Sequence, residues 1–171
     1  MSNADLPAGF APIFRTSPFL ETIGPLYSAG SGASLVIGIR VQEKHTNARG
    51  TLHGGVLASI ADIALGYGLA TSTSPPTSMV TANLSVDFAG SAQIGDWIET
   101  TLDIQKIGSR MAFANVYFSV AGERIARASG VFLLTERTPV IPAKAGIHPN
   151  RWQPCAPPPA LPPTRRRAAC A

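Results

Sequence analysis

GTLHGGVLASIADIALGYGLA, residues 50–70, is a nearly all-apolar stretch that opens on two glycines and carries one acid, Asp62, in its middle. Gly54 and Gly55 mark its start, and TSTSPPTS (71–78) breaks it. It predicts the longest helix of the chain, over about 54–70. Its neighbours Ile60, Ala61, Ile63, Ala64 and Leu65 all favour burial, so Asp62 is expected to be a buried acid. Such a group must be paired, protonated or used.

Outward from this helix, SPFLETIGPLY (17–27) predicts a short helix with Ser17 as its N-cap and a stop at Gly24-Pro25. In ASLVIGIRVQ (33–42), Leu35, Ile37, Ile39 and Val41 alternate on one face, the period of a strand. HTNARGTLHGG (45–55) reads as a loop. Beyond residue 77 the chain is almost pure strand pattern: 78–90, 96–108, 110–122 and 124–136, with Gly95-Asp96, Gly108-Ser109 and Gly122-Glu123 expected as hairpin turns. One long helix before an antiparallel meander predicts an α+β fold, a curved antiparallel sheet wrapped around a central helix that is apolar almost all round.

The chain has 171 residues, 45% of them hydrophobic and 14% charged, which suits one domain with a real core. Its net charge of +4 is unevenly placed. Residues 1–137 hold 9 Lys or Arg against 10 Asp or Glu, whereas 138–171 hold 5 basic residues and no acid. That tail also carries 9 of the 15 prolines and both cysteines, Cys155 and Cys170. The expected organisation is a folded domain over 1–137 and a Pro/Arg-rich, disordered tail over 138–171. Arg165, Arg166 and Arg167 read as solvated charges, so no nucleic-acid partner is expected.

A body free of cysteine gives a reducing cytoplasm as the expected compartment. Residues 1–5 lead into no signal-peptide pattern. The segment 52–70 is long enough for a bilayer, but His53, Asp62 and its glycines argue against a membrane span. His45, His53 and His148 show no ligand spacing, so no metal is expected. No phosphate-cradling loop, dinucleotide fingerprint or nucleophile elbow is present, and no cofactor is implied.

The chemistry gathers at the start of the helix. Its first N–H groups have no intrahelical partners and sit at the positive end of the dipole. The Gly54 N–H, with Gly55 beside it, can polarise a carbonyl oxygen that approaches the bare backbone. Asp62 lies eight residues on, roughly 12 Å along the axis. One chain therefore cannot bring both groups to the same carbonyl carbon. Two antiparallel copies of the helix in a two-fold dimer would, each Gly54 facing the partner's Asp62.

The pattern NxxGxLHGGxxxxxxD, spelled by Asn47, Gly50, Leu52, His53, Gly54, Gly55 and Asp62, resembles the signature of hotdog-fold acyl-CoA thioesterases. The resemblance is to the phenylacetate-pathway (PaaI-type) branch and to one class of 4-hydroxybenzoyl-CoA thioesterases, and it spans about residues 17–136. It implies a hotdog fold assembled as dimers and often tetramers, and hydrolysis of aryl- or medium-chain acyl-CoA to free acid and CoA. By position it implies that Asp62 is the nucleophile or general base and that Gly54 polarises the thioester carbonyl. His53 and Asn47 correspond to residues that line and orient the thioester. Some relatives carry a Ser or Thr near position 79, where this chain has Met79; Thr81, on the same strand face, can take that place.

A thioester is electrophilic and thiolate leaves readily, so neither a metal nor a Ser-His-Asp triad is required. A carboxylate in an apolar site is also a stronger base than one in water. The phosphates of CoA call for basic and polar groups at the mouth, for which Arg49, Lys106, Ser109 and Arg110 are candidates. Val56, Ile60, Ile63 and Phe88 are expected to line an apolar acyl pocket. Two other readings of the same fold remain open from sequence: a non-catalytic acyl-CoA binding module, and a hydratase or dehydratase.

Overall fold

The computed structural model describes residues 6–135. The proposed tail, its cysteines and the exact domain boundary lie outside the described residues. The chain forms β1 (Ala11–Pro12), α1 (Pro18–Ile23), β2 (Tyr27–Ala29), β3 (Val36–Arg40), α2 (Gly54–Thr71), β4 (Ser78–Phe88), β5 (Trp97–Ile107), β6 (Met111–Val120) and β7 (Glu123–Thr135). One antiparallel sheet runs β1-β2-β3-β5-β6-β7-β4, and α2 packs on its concave face.

Helix α2 is not built on intrinsic propensity. Gly54, Gly55, Gly66 and Gly68 each cost it about 1 kcal/mol relative to alanine. Tertiary burial offsets this: Leu57, Ile60, Ile63, Ala64, Leu65 and Leu69 are buried, and each fully buried large apolar side chain contributes roughly 1.5–3 kcal/mol. Two glycines let helix and sheet come together. A Cβ on Gly130 would lie 2.7 Å from Phe132 Cε2 and 2.8 Å from Leu65 Cδ1, and a Cβ on Gly68 would run into Leu102.

The burial of α2 corrects one expectation. It has a buried face and an open face rather than apolar cover all round. Ala58, Ser59, Asp62, Gly66, Tyr67 and Ala70 are only half-buried, so Asp62 is not a buried acid within one protomer. The helix is long and apolar enough to cross a bilayer, but its buried residues belong to the core cluster under the sheet.

The expected alternation in β3 is present: Leu35, Ile37, Ile39 and Val41 are all buried. Ser17 caps α1 by accepting a hydrogen bond from the Leu20 N–H at 3.3 Å, and Gly24 ends that helix. Gly108-Ser109 and Gly122-Glu123 lie where consecutive strands turn back on each other. Gly95-Asp96 does not. Strand β4 pairs with β7 at the far edge of the sheet, while β5 pairs with β3 and β6. Residues 89–96 therefore form a crossover, anchored by the Gly95 N–H donating to the Val41 carbonyl at 2.9 Å. A period-2 pattern identifies strands but not their neighbours, so the expected simple meander is a meander of β5-β6-β7 with β4 returned beside β7.

Packing tolerance separates two of the glycines. Gly130→Ala is expected to lower stability by about 1–3 kcal/mol, because its contacts are buried and cannot swing aside. Gly66→Ala, whose Cβ would find only Phe132 Cε1 at an ordinary 3.6 Å, is expected to gain up to about 1 kcal/mol. Urea unfolding of the two variants beside wild type measures both.

Candidate active site

The open face of α2 forms one wall of a groove of about 730 Å³. Its helix residues, Ser59, Asp62, Ile63, Gly66, Tyr67 and Ala70, recur at helical spacing along one stripe. Met79, Thr81 and Leu84 of β4 and Phe132 of β7 form the opposite wall, and the segment from Arg15 to Leu20 closes one side.

A bulge sets the β4 wall. The register with β7 shifts between Thr81 and Asn83, so the alternation changes phase there. Met79 and Thr81 face inward before it; Leu84 and Val86 take the half-buried inward positions after it. This places the Thr81 hydroxyl on Asp62, donating to Oδ1 at 2.6 Å. Oδ2 of Asp62 has no hydrogen-bond partner among the described residues. The carboxylate is thus held in one orientation with one oxygen available to a water or substrate.

At the other end of the stripe, His53 is the N-cap of α2, its Nδ1 accepting from the Gly55 N–H at 2.8 Å. That bond occupies Gly55 and leaves the Gly54 N–H without an acceptor among the described residues. The ring of Phe88 lies directly over Gly54, where a Cβ would sit 2.9 Å from Phe88 Cζ. Gly54 therefore serves close packing and leaves a free donor at the same time.

Asn47 organises its own loop. Its Oδ1 accepts from the Arg49 N–H at 2.8 Å, and its Nδ2 donates to Thr51 Oγ1 at 3.0 Å. Asn47, His53, Gly54 and Gly55 do not line the groove that holds Asp62, so one chain separates the two halves of the motif. Arg49 lies exposed in that loop, and Lys106, Ser109 and Arg110 lie exposed at the β5–β6 turn, all outside the groove. Of the expected acyl-pocket residues, Ile63 lines the groove, Ile60 is buried in the core, and Phe88 covers Gly54. The sequence reading missed Arg15, Thr16, Phe19, Ser59 and Tyr67. Ser59 and Tyr67 are visible in hindsight as members of the stripe through Asp62; Arg15 and Thr16 belong to a segment with no periodicity, and Phe19 lies on the short predicted helix α1, whose placement against α2 no local pattern gives.

His45 supports this arrangement from below. It is buried; its backbone carbonyl accepts from the His53 N–H at 2.8 Å, and its Nδ1 accepts from the Gln42 N–H at 3.0 Å. The imidazole proton therefore sits on Nε2, which faces the Ile23 and Gly24 carbonyls but completes no hydrogen bond. Burial pushes His45 below its ordinary pKa; Lys44 adds to this, while the two carbonyls oppose it.

The curved seven-stranded antiparallel sheet around one long helix is a hotdog fold, and the open face of that helix carries a hydroxyl-held carboxylate in an apolar groove. Residues 49–125 match the model of the Thioesterase superfamily. The chain is 45% identical over 131 residues to the Pseudomonas aeruginosa protein named "Putative esterase PA0474", covering 76% of this chain and 98% of that one. It is 35% identical over 92 residues to human acyl-coenzyme A thioesterase 13, covering 53% and 64% of the two chains. Among solved structures, zebrafish thioesterase superfamily member 2 superposes with a TM-score of 0.65 at 27% identity, over 70% of this chain and 88% of that one. The chain belongs to the thioesterase superfamily, as a thioester hydrolase of hotdog fold.

The state of His45 gives a pH prediction. Because its folded pKa lies below the unfolded value, its contribution to stability is complete above about pH 6.5 and is lost as the pH falls through the folded value. Charging Nδ1 also breaks the bond from Gln42. Urea midpoints measured from pH 7.5 to pH 5 are expected to fall for wild type, and to fall less for His45→Phe.

Proposed function

We propose that this protein hydrolyses acyl-CoA thioesters, aryl or medium-chain, at two sites that each combine Asp62 of one protomer with Gly54 of its partner. The observation that carries this reading is the Asp62 carboxylate held by Thr81 at 2.6 Å in a largely apolar groove. Either Asp62 deprotonates a water that adds to the thioester carbonyl, or Asp62 adds to it directly and the acyl–Asp62 anhydride left after loss of thiolate is then hydrolysed by water. The Gly54 N–H of the other protomer stabilises the resulting oxyanion. The intermediate collapses with loss of the CoA thiolate, which takes up the proton.

The dimer is supported by the edge of the sheet. Among the described residues, strand β4 pairs only with β7, leaving an 11-residue strand with one open edge, a template for pairing with another chain. Pairing of two β4 strands about a two-fold axis continues the sheet and sets the two α2 helices antiparallel. It also leaves room for His53 and Asn47 to face the thioester, and for Arg49, Lys106, Ser109 and Arg110 to meet the CoA phosphates. An apolar row on the outer face, Val80, Leu133 and Met111 in register, fits a further association into a tetramer. A cytoplasmic location suits a CoA-dependent reaction.

Release of free thiol from phenylacetyl-, benzoyl- and medium-chain acyl-CoAs tests the reading. Asp62→Asn is expected to lose about a hundredfold or more in kcat. Thr81→Val is expected to lose about tenfold, the scale of one hydrogen bond to a charged group, with Thr81→Ser recovering most of it. No turnover with retained acyl-CoA binding would leave a binding module instead.

Sharing of the site has its own test. Gly54→Pro removes the donor at the first helix position, with Phe88→Ala beside it to clear the ring that a side chain there would meet. Refolding a mixture of Asp62→Asn and Gly54→Pro chains regenerates one intact site in each mixed dimer, for about a quarter of wild-type activity. Sites confined to single chains would regain none.

A further inference from the structure

The far part of the groove carries a charge that thioester hydrolysis does not require. Near Asp62 the walls are apolar, with Ile63, Met79, Leu84 and Phe132, but the segment before α1 brings Arg15 to the rim. The Arg15 guanidinium carbon lies 6.0 Å from the Tyr67 ring centroid, and Phe14 packs on the same ring at 5.3 Å between centroids. The ion pair among the described residues joins Arg127 and Asp87; Arg15 shares the groove with Asp62 but forms no ion pair with it or with another described carboxylate, Arg15 being absent from that contact. Its N–H donors, a planar fork that matches a carboxylate, are therefore left for a ligand.

Position decides which end of the substrate this charge meets. Tyr67 follows Asp62 by five residues, about 7–8 Å along the helix axis. An extended hydrocarbon chain of roughly six carbons covers that span, at about 1.3 Å of advance per bond. The pantetheine arm between the thioester sulfur and the pyrophosphate of CoA is longer. An acyl chain laid along the groove from Asp62 thus ends at Arg15, whereas the phosphates would lie well past it.

We propose that the Arg15–Tyr67 rim selects acyl groups with a carboxylate at the end remote from the thioester, as in CoA half-thioesters of medium-chain dicarboxylic acids. This rests on the thioesterase reading above. Tyr67 and Phe14 hold the guanidinium in place, and the carboxylate takes its two parallel N–H donors.

The test compares octanoyl-CoA with the eight-carbon half-thioester that bears a terminal carboxylate. In wild type, kcat/KM is expected to favour the carboxylated substrate by about fivefold to tenfold, the range of one charge-assisted hydrogen bond at an exposed site. In Arg15→Gln the ratio is expected to fall to near one, and Arg15→Lys to restore part of it. A wild-type ratio near or below one, or an equal ratio in wild type and Arg15→Gln, overturns the proposal. If Arg15→Gln lowers both CoA substrates alike but spares the matching pantetheine thioesters, the guanidinium serves the CoA phosphates instead. Calorimetric titration of the two CoA thioesters reads the same preference as a ratio of Kd values. With no turnover, the thioesterase reading falls by itself, and equal Kd values would independently overturn this one.

Discussion

The contact between α2 and the concave face of the sheet, where Leu65 and Phe132 close over the bare backbone of Gly130, is the constraint from which the rest follows. A helix with four glycines does not hold together on its own backbone preference. It persists because one of its faces is packed away, and that packing fixes its rotation about its own axis. Once the rotation is fixed, the opposite stripe, Ser59, Asp62, Gly66 and Ala70, must look outward along β4. The position of the carboxylate is thus a by-product of core packing.

The first turn and the middle of the helix do different electrostatic work. The first turn offers an uncommitted backbone donor at Gly54, because the His53 imidazole satisfies the next one at 2.8 Å. The middle offers an acceptor, Asp62, held by the Thr81 hydroxyl. Donor and acceptor on one rigid rod cannot converge on one carbonyl; in the dimer proposed above, the edge of β4 brings two rods together, and catalysis and assembly share that strand.

Much of this was legible in the residues. Apolar period and punctuation located α2, β3 and the four long strands to within two or three residues, since those segments bury one side chain in two or in three to four. The motif around His53 and Asp62 gave the family, and geometry along the helix gave the separation of its two halves. Three things were not legible. Strand order was hidden because β4 and β5 carry the same alternation whether or not they pair. The exposure of Asp62 was hidden because alanine and glycine neighbours look apolar in sequence yet leave space around a side chain. The rim built by Arg15 and Phe19 was hidden because an aperiodic stretch and a short helix acquire their place only through what they pack against.

The bulge in β4 has a further meaning. With one residue more than its partner strand between Thr81 and Asn83, the strand changes phase, as a message read in triplets does after an insertion. Every side chain from Leu84 to Phe88 owes its facing to that extra residue, Ala82. Removal of this exposed alanine would send Leu84, Val86 and Phe88 to the outer face and turn Asn83, Ser85 and Asp87 inward. A strand of this kind tolerates exchange of its letters far better than a change in their number.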